Sequence, residues 1–372
     1  MNAKVDSRFI QIVESACRGK LSDVEIIQTL WSGYGVCFRA LLSKERDSFQ
    51  PQDLADHEEA SEGPHRIVAK CASPPNEMHH PRGWNGRKGH LRKLASFAFE
   101  VDFYRHLQPL TNDHCKVPQC IAVNQCGDNT VLVMEDLAYV GFTETTDKLS
   151  VDHAKVVLRW LGAFHAQFLG QKDAINQRKI KIWDEGSYWH LGTREDEYNA
   201  MDESPLKQAA FKIAKSLSNA TYQTVIHGDA KVANFCFTQS YNACAAVDFQ
   251  YVGFGVGVKD VAYFIGSALS ADDQKHHTEN CLTVYFEALK EAFLLRDAQK
   301  TDSLSQSLQS SFHLCSKICI ENVIAEWREL YSVACADFHR FLAGWSPQHW
   351  KINEQLQLQT NKALKRINQS DS

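Results

Sequence analysis

Val225-Ile226-His227-Gly228-Asp229-Ala230-Lys231-Val232-Ala233-Asn234, followed by Ala246-Val247-Asp248-Phe249-Gln250, is the stretch on which the reading of this chain turns. Short apolar runs flank turns across residues 224–264, an interruption in an otherwise helical region. Moving a γ-phosphoryl group needs a carboxylate beside the attacking hydroxyl and oxygen ligands that hold Mg²⁺ on the phosphates. Asp229 at the start of the loop supplies the carboxylate, as catalytic base. Asn234, five residues on, and Asp248, after the next short strand, supply the metal ligands. Oxygen donors of this kind suit a hard, octahedral Mg²⁺ ion. The plainer alternative is a turn whose Asp and Asn only bond the backbone. The joint spacing, set between two strand-like runs, favours the catalytic reading.

Upstream residues fit the same chemistry. Arg66-Ile67-Val68-Ala69-Lys70-Cys71 is a compact strand bearing a lysine, and a helix follows with Phe99, Glu100, Tyr104 and Leu107. A kinase holds the α- and β-phosphates with such a lysine, oriented by a helix glutamate. Lys70 and Glu100 are the candidate pair, with Asp102 a near competitor. Gly33 and Gly35, in Ser32-Gly33-Tyr34-Gly35, sit in an expected strand–turn–strand hairpin over Val24 to Leu42 and would let backbone N–H groups approach phosphates. An ordinary hairpin explains them nearly as well. Residues 8–18 read as a short amphipathic helix ended by Gly19, and residues 43–65 as a polar, acidic loop.

These residues resemble the aminoglycoside phosphotransferase and choline kinase superfamily, and within it most nearly the ecdysteroid-kinase-like branch. There the loop reads His-Gly-Asp-x-x-x-x-Asn and the metal segment Asp-Phe-Gln, both intact here. The resemblance implies an α+β, two-lobed protein-kinase-like fold. A nucleotide-binding lobe would span residues 1–137, and a mainly helical catalytic and acceptor-binding lobe residues 138–372. It implies ATP and Mg²⁺ as cofactors and a small-molecule hydroxyl acceptor, choline-, aminoglycoside- or steroid-like. Leu132-Val133-Met134-Glu135-Asp136-Leu137 looks like the strand and hinge that receive adenine, with Glu135 and Leu137 offering backbone groups and Met134 lining the pocket. Asp260, in GFGVGVKDVAYF from Gly253 to Phe264, would brace the catalytic loop. His227 would be structural, and His165 in Leu161-Gly162-Ala163-Phe164-His165-Ala166 a packing residue.

Composition narrows the alternatives. A chain of 372 residues calls for one large domain or two lobes, and 44% hydrophobic with 23% charged residues is ordinary for a soluble enzyme. A formal charge of -5 leaves no basic footprint for nucleic acid. No apolar run is long enough to span a bilayer, and the first residues lack the apolar core of a secretory signal, so a cytoplasmic protein is expected. Its 12 cysteines, with no Cys-x-x-Cys spacing, then read as reduced thiols, and Cys315 with Cys319 as a buried apolar pair. Their dispersal, and that of 16 histidines, argues against a metal-storing or redox protein. Only eleven residues separate Asp248 from Asp260 and no Ala-Pro-Glu follows, so the peptide platform of protein kinases is missing and a small acceptor is favoured. Aromatic and acidic residues from Trp183 to His190, Asp184 and Glu185 among them, and those from Glu326-Trp327 through Trp345 and Trp350 are candidates for the acceptor pocket, with plain core packing the alternative for the aromatics. The rival class is a catalytically silent nucleotide-binding scaffold. It usually lacks the base, a metal ligand or the strand lysine, and all are present here.

Overall fold

The computed structural model describes residues 5–30, 33–44, 65–73, 87–302 and 318–369. These fall within two compact units, Met1–Pro109 with Pro118–Val140, and Leu110–Val117 with Gly141–Ser372.

The first unit contains α1 (Ser7–Cys17), β1 (Gly19–Leu30), β2 (Gly35–Lys44), β3 (His65–Ala72), α2 (Arg87–His106), β4 (Cys120–Cys126) and β5 (Asn129–Glu135). The strands form one antiparallel sheet in the order β1-β2-β3-β5-β4. Strand periodicity assigns the two faces. Phe38, Ala69 and Val133 stand in register across three strands, and with Ile67, Cys71 and Val131 they bury against Val13 of α1. One residue over, Cys37, Lys70 and Leu132 are in register and point to the opposite face. Cys37 there joins Tyr34, Ala72 and Phe97 of α2 in a second cluster.

The first helix ends differently from expectation. Arg18, not Gly19, takes the left-handed conformation that stops α1 (φ 51), while Gly19 opens β1. A Cβ at Gly19 would lie 2.6 Å from the Ser43 carbonyl oxygen, so the glycine serves strand contact. The hairpin strands accordingly run longer than Val24 to Leu42. Most of the acidic loop, Ser32 and Cys315 lie outside the described residues.

In the second unit the elements are α3 (Val151–Phe168), α4 (Lys172–Gln177), α5 (Glu195–Asn199), α6 (Pro205–Ser218), β6 (Thr224–Ile226), β7 (Phe235–Phe237), β8 (Cys244–Ala246), β9 (Gly253–Gly255), α7 (Val258–Ala268), α8 (Ala271–Asp302), α9 (Ile320–Trp345) and α10 (Glu354–Gln369). Ser150 caps α3 by accepting from the His153 N–H at 3.2 Å. α3 packs closely on α8 because Gly162 has no side chain: a Cβ there would sit 2.8 Å from the Leu289 nitrogen. Residues 110–117 belong to this unit because the Lys116 carbonyl accepts from Trp160 Nε1 at 2.9 Å and from the Ala246 N–H at 3.1 Å. The four short strands make two antiparallel ladders, β6 with β9 and β7 with β8, and these hold the loop singled out in the sequence. No described helix is long and apolar enough to cross a membrane.

Candidate active site

Within the first unit, Lys70 Nζ lies 2.8 Å from Glu100, bonding Oε1 and ion-pairing with Oε2. Both side chains are buried. Helical spacing selects Glu100 over Asp102: Phe97, Glu100 and Tyr104 recur at three- and four-residue steps and all point inward. Asp102 is half-buried and lies 3.8 Å from Arg105 on its own helix. A lysine buried on an otherwise apolar sheet face must have an anionic partner.

The other candidates of this unit divide. Met134 is buried and Glu135 ends β5. The Glu135 N–H donates to the Gln119 carbonyl at 2.9 Å, which takes that N–H away from any ligand. Leu137 is buried two residues on. Asp136 instead faces β2, where Arg39 Nε donates to it at 2.6 Å. Gly35 has a structural reason to be glycine, since its φ is 144 and a Cβ would collide with the Cys71 carbonyl oxygen. At Gly33 (φ 75) nothing lies within 4 Å, so only the turn conformation requires glycine there.

Within the second unit, the loop leaves β6 at Ile226 and enters β7 at Phe235. Asp260, in the first turn of α7, accepts the backbone N–H of His227 at 2.6 Å and that of Gly228 at 2.9 Å. His165 Nε2 lies 3.2 Å from the same carboxylate, and its Nδ1 meets the Tyr285 hydroxyl at 2.9 Å. His227 closes the other side. Its Nδ1 accepts from the Asp229 N–H at 3.2 Å, which fixes the proton on Nε2, where it is donated to the Val247 carbonyl at 3.0 Å. Both ring nitrogens of His227 are thereby hydrogen-bonded within the protein.

Gly228 carries the sharpest constraint in the loop. Its φ is 78, and a Cβ would run into the Tyr251 carbonyl oxygen. Gly228→Ala is therefore expected to destabilise the protein by about 2 kcal/mol or more, combining left-handed strain with a backbone collision. Chemical denaturation followed by circular dichroism would register this as a lower midpoint.

So held, Asp229 is almost fully enclosed. Asn234 Nδ2 donates to its carbonyl oxygen at 2.8 Å and to Oδ2 at 3.1 Å, and Lys231 Nζ lies 3.1 Å from Oδ2. That charge raises the Lys231 pKa against the opposing effect of burial. Burial, and after it the Asp229 charge, pushes up the Tyr188 phenol, and burial chiefly does the same for Tyr263. Both phenols stay neutral.

Asn234 and Asp248 come together through the β7–β8 ladder. Phe235 pairs with Ala246, the Val247 N–H donates to the Asn234 carbonyl at 2.9 Å, and Asp248 follows with φ 68. Because the Asn234 amide nitrogen is committed to Asp229, its Oδ1 is the atom left to meet a cation. Together with the Asp248 carboxylate this gives hard oxygen donors at one end of a ladder, a set that fits Mg²⁺ completed by water and phosphate oxygens. Among the described residues no group of three or more His, Cys, Asp or Glu could hold a metal.

The structure places the acceptor-pocket candidates unevenly. Asp184 is exposed, whereas Glu185 pairs with buried Lys259 at 3.1 Å. Lys259 also approaches Asp337 at 3.6 Å, and Arg340 bonds Asp337 at 2.8 Å. Burial, then the charge of Lys259, drives the His190 pKa down to about 3, so this imidazole is neutral. Sequence reasoning passed over Lys231, Tyr263 and Lys351, while Tyr188 lay within the aromatic stretch from Trp183 to His190. Only Lys231 had a local signal, two residues from Asp229.

An α+β chain with an ion-paired strand lysine, and with a His-Gly-Asp loop braced beside Asn and Asp donors, is of the two-lobed protein-kinase-like class. The family model described as ecdysteroid kinase-like matches residues 80–169 and 187–299, more than half of the chain, and the protein belongs to that family. No curated protein gives a significant match. Similar solved structures include a choline kinase from Cryptosporidium parvum Iowa II, at 11% identity over 98% of this chain and 95% of that chain (TM-score 0.46). An amicoumacin kinase in complex with AMP-PNP, Ca²⁺ and Ami matches at 10% identity over 98% and 94% (TM-score 0.45). An aminoglycoside phosphotransferase from Streptomyces rimosus in complex with ADP and streptomycin matches at 11% identity over 87% and 98% (TM-score 0.44).

Proposed function

We propose that the protein is an ATP-dependent phosphotransferase acting on a hydroxyl group of a small molecule. The observation that carries this reading is the Asp229 carboxylate, held by Asn234 and Lys231 on a loop whose preceding N–H groups are pinned by Asp260. Such a carboxylate is preorganised to accept a proton. In the proposed reaction the acceptor hydroxyl donates a hydrogen bond to Asp229, which takes the proton as the new O–P bond forms. The bond from the γ-phosphorus to the bridging oxygen breaks, and ADP leaves with that oxygen. Lys231 offsets the Asp229 charge and so helps an anionic phosphoryl group come near. Mg²⁺ held by Asn234 and Asp248 would neutralise charge on the phosphates. Lys70, oriented by Glu100, would bind the α- and β-phosphates, and Met134 with the Glu135–Leu137 backbone would receive adenine.

Calorimetric titration of Mg-ATP tests this reading. The wild-type protein is expected to bind, and Lys70→Met to bind about 10- to 100-fold more weakly, through loss of a charge-assisted contact. Absence of binding to the wild type would overturn it.

A further inference from the structure

Between α9 and α10 the chain makes a tight turn in which the His349 N–H donates to the Ser346 carbonyl and the Ile352 N–H to the His349 carbonyl, both at 2.8 Å. This turn presents Lys351. Its ammonium donates to Ser267 Oγ at 2.9 Å and lies over three rings: Tyr263 at 4.8 Å, Trp350 at 5.5 Å and Phe338 at 5.8 Å from their centroids. Tyr263 and Ser267 are one turn apart on α7, the helix whose first turn pins the catalytic loop, and the Tyr263 hydroxyl lies 3.5 Å from that of Tyr188, whose N–H donates to the Gly228 carbonyl next to Asp229 at 3.1 Å. Asp229 and Lys231 both act electrostatically on Lys351. Aromatic faces within about 6 Å, next to a carboxylate, are what a protein uses to hold a cationic ligand. Here the position is filled by the protein's own cation.

We propose that Lys351 is a specificity-determining residue: its ammonium takes the cation position beside Asp229, so the enzyme rejects amine and quaternary-ammonium alcohols and accepts hydroxyls carried on non-cationic skeletons. The proposal rests on the kinase reading of Asp229, but it is tested by binding alone. Burial, above the opposing pull of Asp229, lowers the Lys351 pKa to about 8. The surrounding groups keep their charge state between pH 7 and 9. The Lys231 pKa is raised, Tyr188 and Tyr263 are raised, and His349 is lowered by burial and by Lys351, so it is already neutral at pH 7. Of these groups it is Lys351 that loses a charge across that interval, passing from ammonium below about pH 8 to amine above it.

Choline and its neutral isostere 3,3-dimethylbutan-1-ol separate charge from shape. Ligand-observed NMR titrations without nucleotide would give both affinities for the wild type, Lys351→Ala and Lys351→Arg. At pH 7 the wild type and Lys351→Arg are expected to prefer the neutral alcohol by about tenfold or more, and Lys351→Ala to prefer choline. Raising the pH to 9 is expected to strengthen choline binding several-fold in the wild type and to leave Lys351→Ala unmoved. Equal affinity of the wild type for both alcohols at pH 7, an unchanged preference in Lys351→Ala, or no choline binding to Lys351→Ala would each overturn the proposal. Failure of phosphoryl transfer with the predicted affinities intact would count only against the kinase reading. Should Lys351→Ala not fold, the wild-type pH series and Lys351→Arg still decide.

Discussion

Asp229→Ala is expected to lower phosphoryl transfer by about 10²- to 10⁴-fold, the range for loss of a positioned general base. Mg-ATP affinity should change little, because the proposed nucleotide contacts lie elsewhere, on Lys70, Asn234 and Asp248. The hydrogen bonds also favour a local effect. Asp229 is fixed by the backbone of His227 and Gly228, whose N–H groups are held by Asp260 and not by Asp229 itself. Asn234 loses one partner, Oδ2, but keeps the Asp229 carbonyl oxygen at 2.8 Å. Turnover and calorimetry on the same preparation make the comparison. A parallel collapse of nucleotide binding would show that Asp229 supports the loop and not the chemistry.

Asp260→Ala is expected to cost about 3–5 kcal/mol of stability as well as activity. The side chain is wholly buried and accepts two backbone N–H groups while facing His165. Its removal leaves two buried donors without acceptors, each worth about 1–3 kcal/mol, and no water reaches them readily. Asp260→Asn should fall between wild type and Ala, since one oxygen can still accept while the amide nitrogen confronts a donor. Guanidinium denaturation gives the stability difference, and the loss should appear in the midpoint with an unchanged slope. A midpoint for Asp260→Ala within about 0.5 kcal/mol of wild type would contradict the bracing role.

Much of the candidate loop was legible because its pattern is written locally. Asp229, Asn234 and Asp248 are spaced so that one short ladder brings the last two together. Lys70 was legible through strand periodicity, and its partner required one further step, the helical spacing of Phe97, Glu100 and Tyr104 that turns Asp102 aside. Other features depend on contacts distant in sequence. That Gly35 is needed against the Cys71 carbonyl, and that Glu185 is engaged by Lys259, follows from sheet and helix packing that no short window contains. Lys351 is the extreme case. It lies in a turn near the end of the chain, yet its ammonium is surrounded by side chains from α7 and α9, and nothing in Trp350-Lys351 as a dipeptide separates it from an ordinary solvated lysine. The helix end at Arg18 escaped because glycine is the usual left-handed stop, and here that glycine was required one residue later for strand contact.

The central claim is transfer of a phosphoryl group to a small-molecule hydroxyl by way of Asp229. The most direct measurement incubates the wild type and Asp229→Ala with γ-labelled ATP, Mg²⁺ and a panel of alcohols comprising amino alcohols, aminoglycosides, sugars and hydroxysteroids, and follows label into each acceptor. The account predicts that the wild type labels one class of acceptor and that Asp229→Ala labels none above background. Labelling that persists undiminished in Asp229→Ala, or a wild type that labels no member of the panel and binds no Mg-ATP, would contradict it.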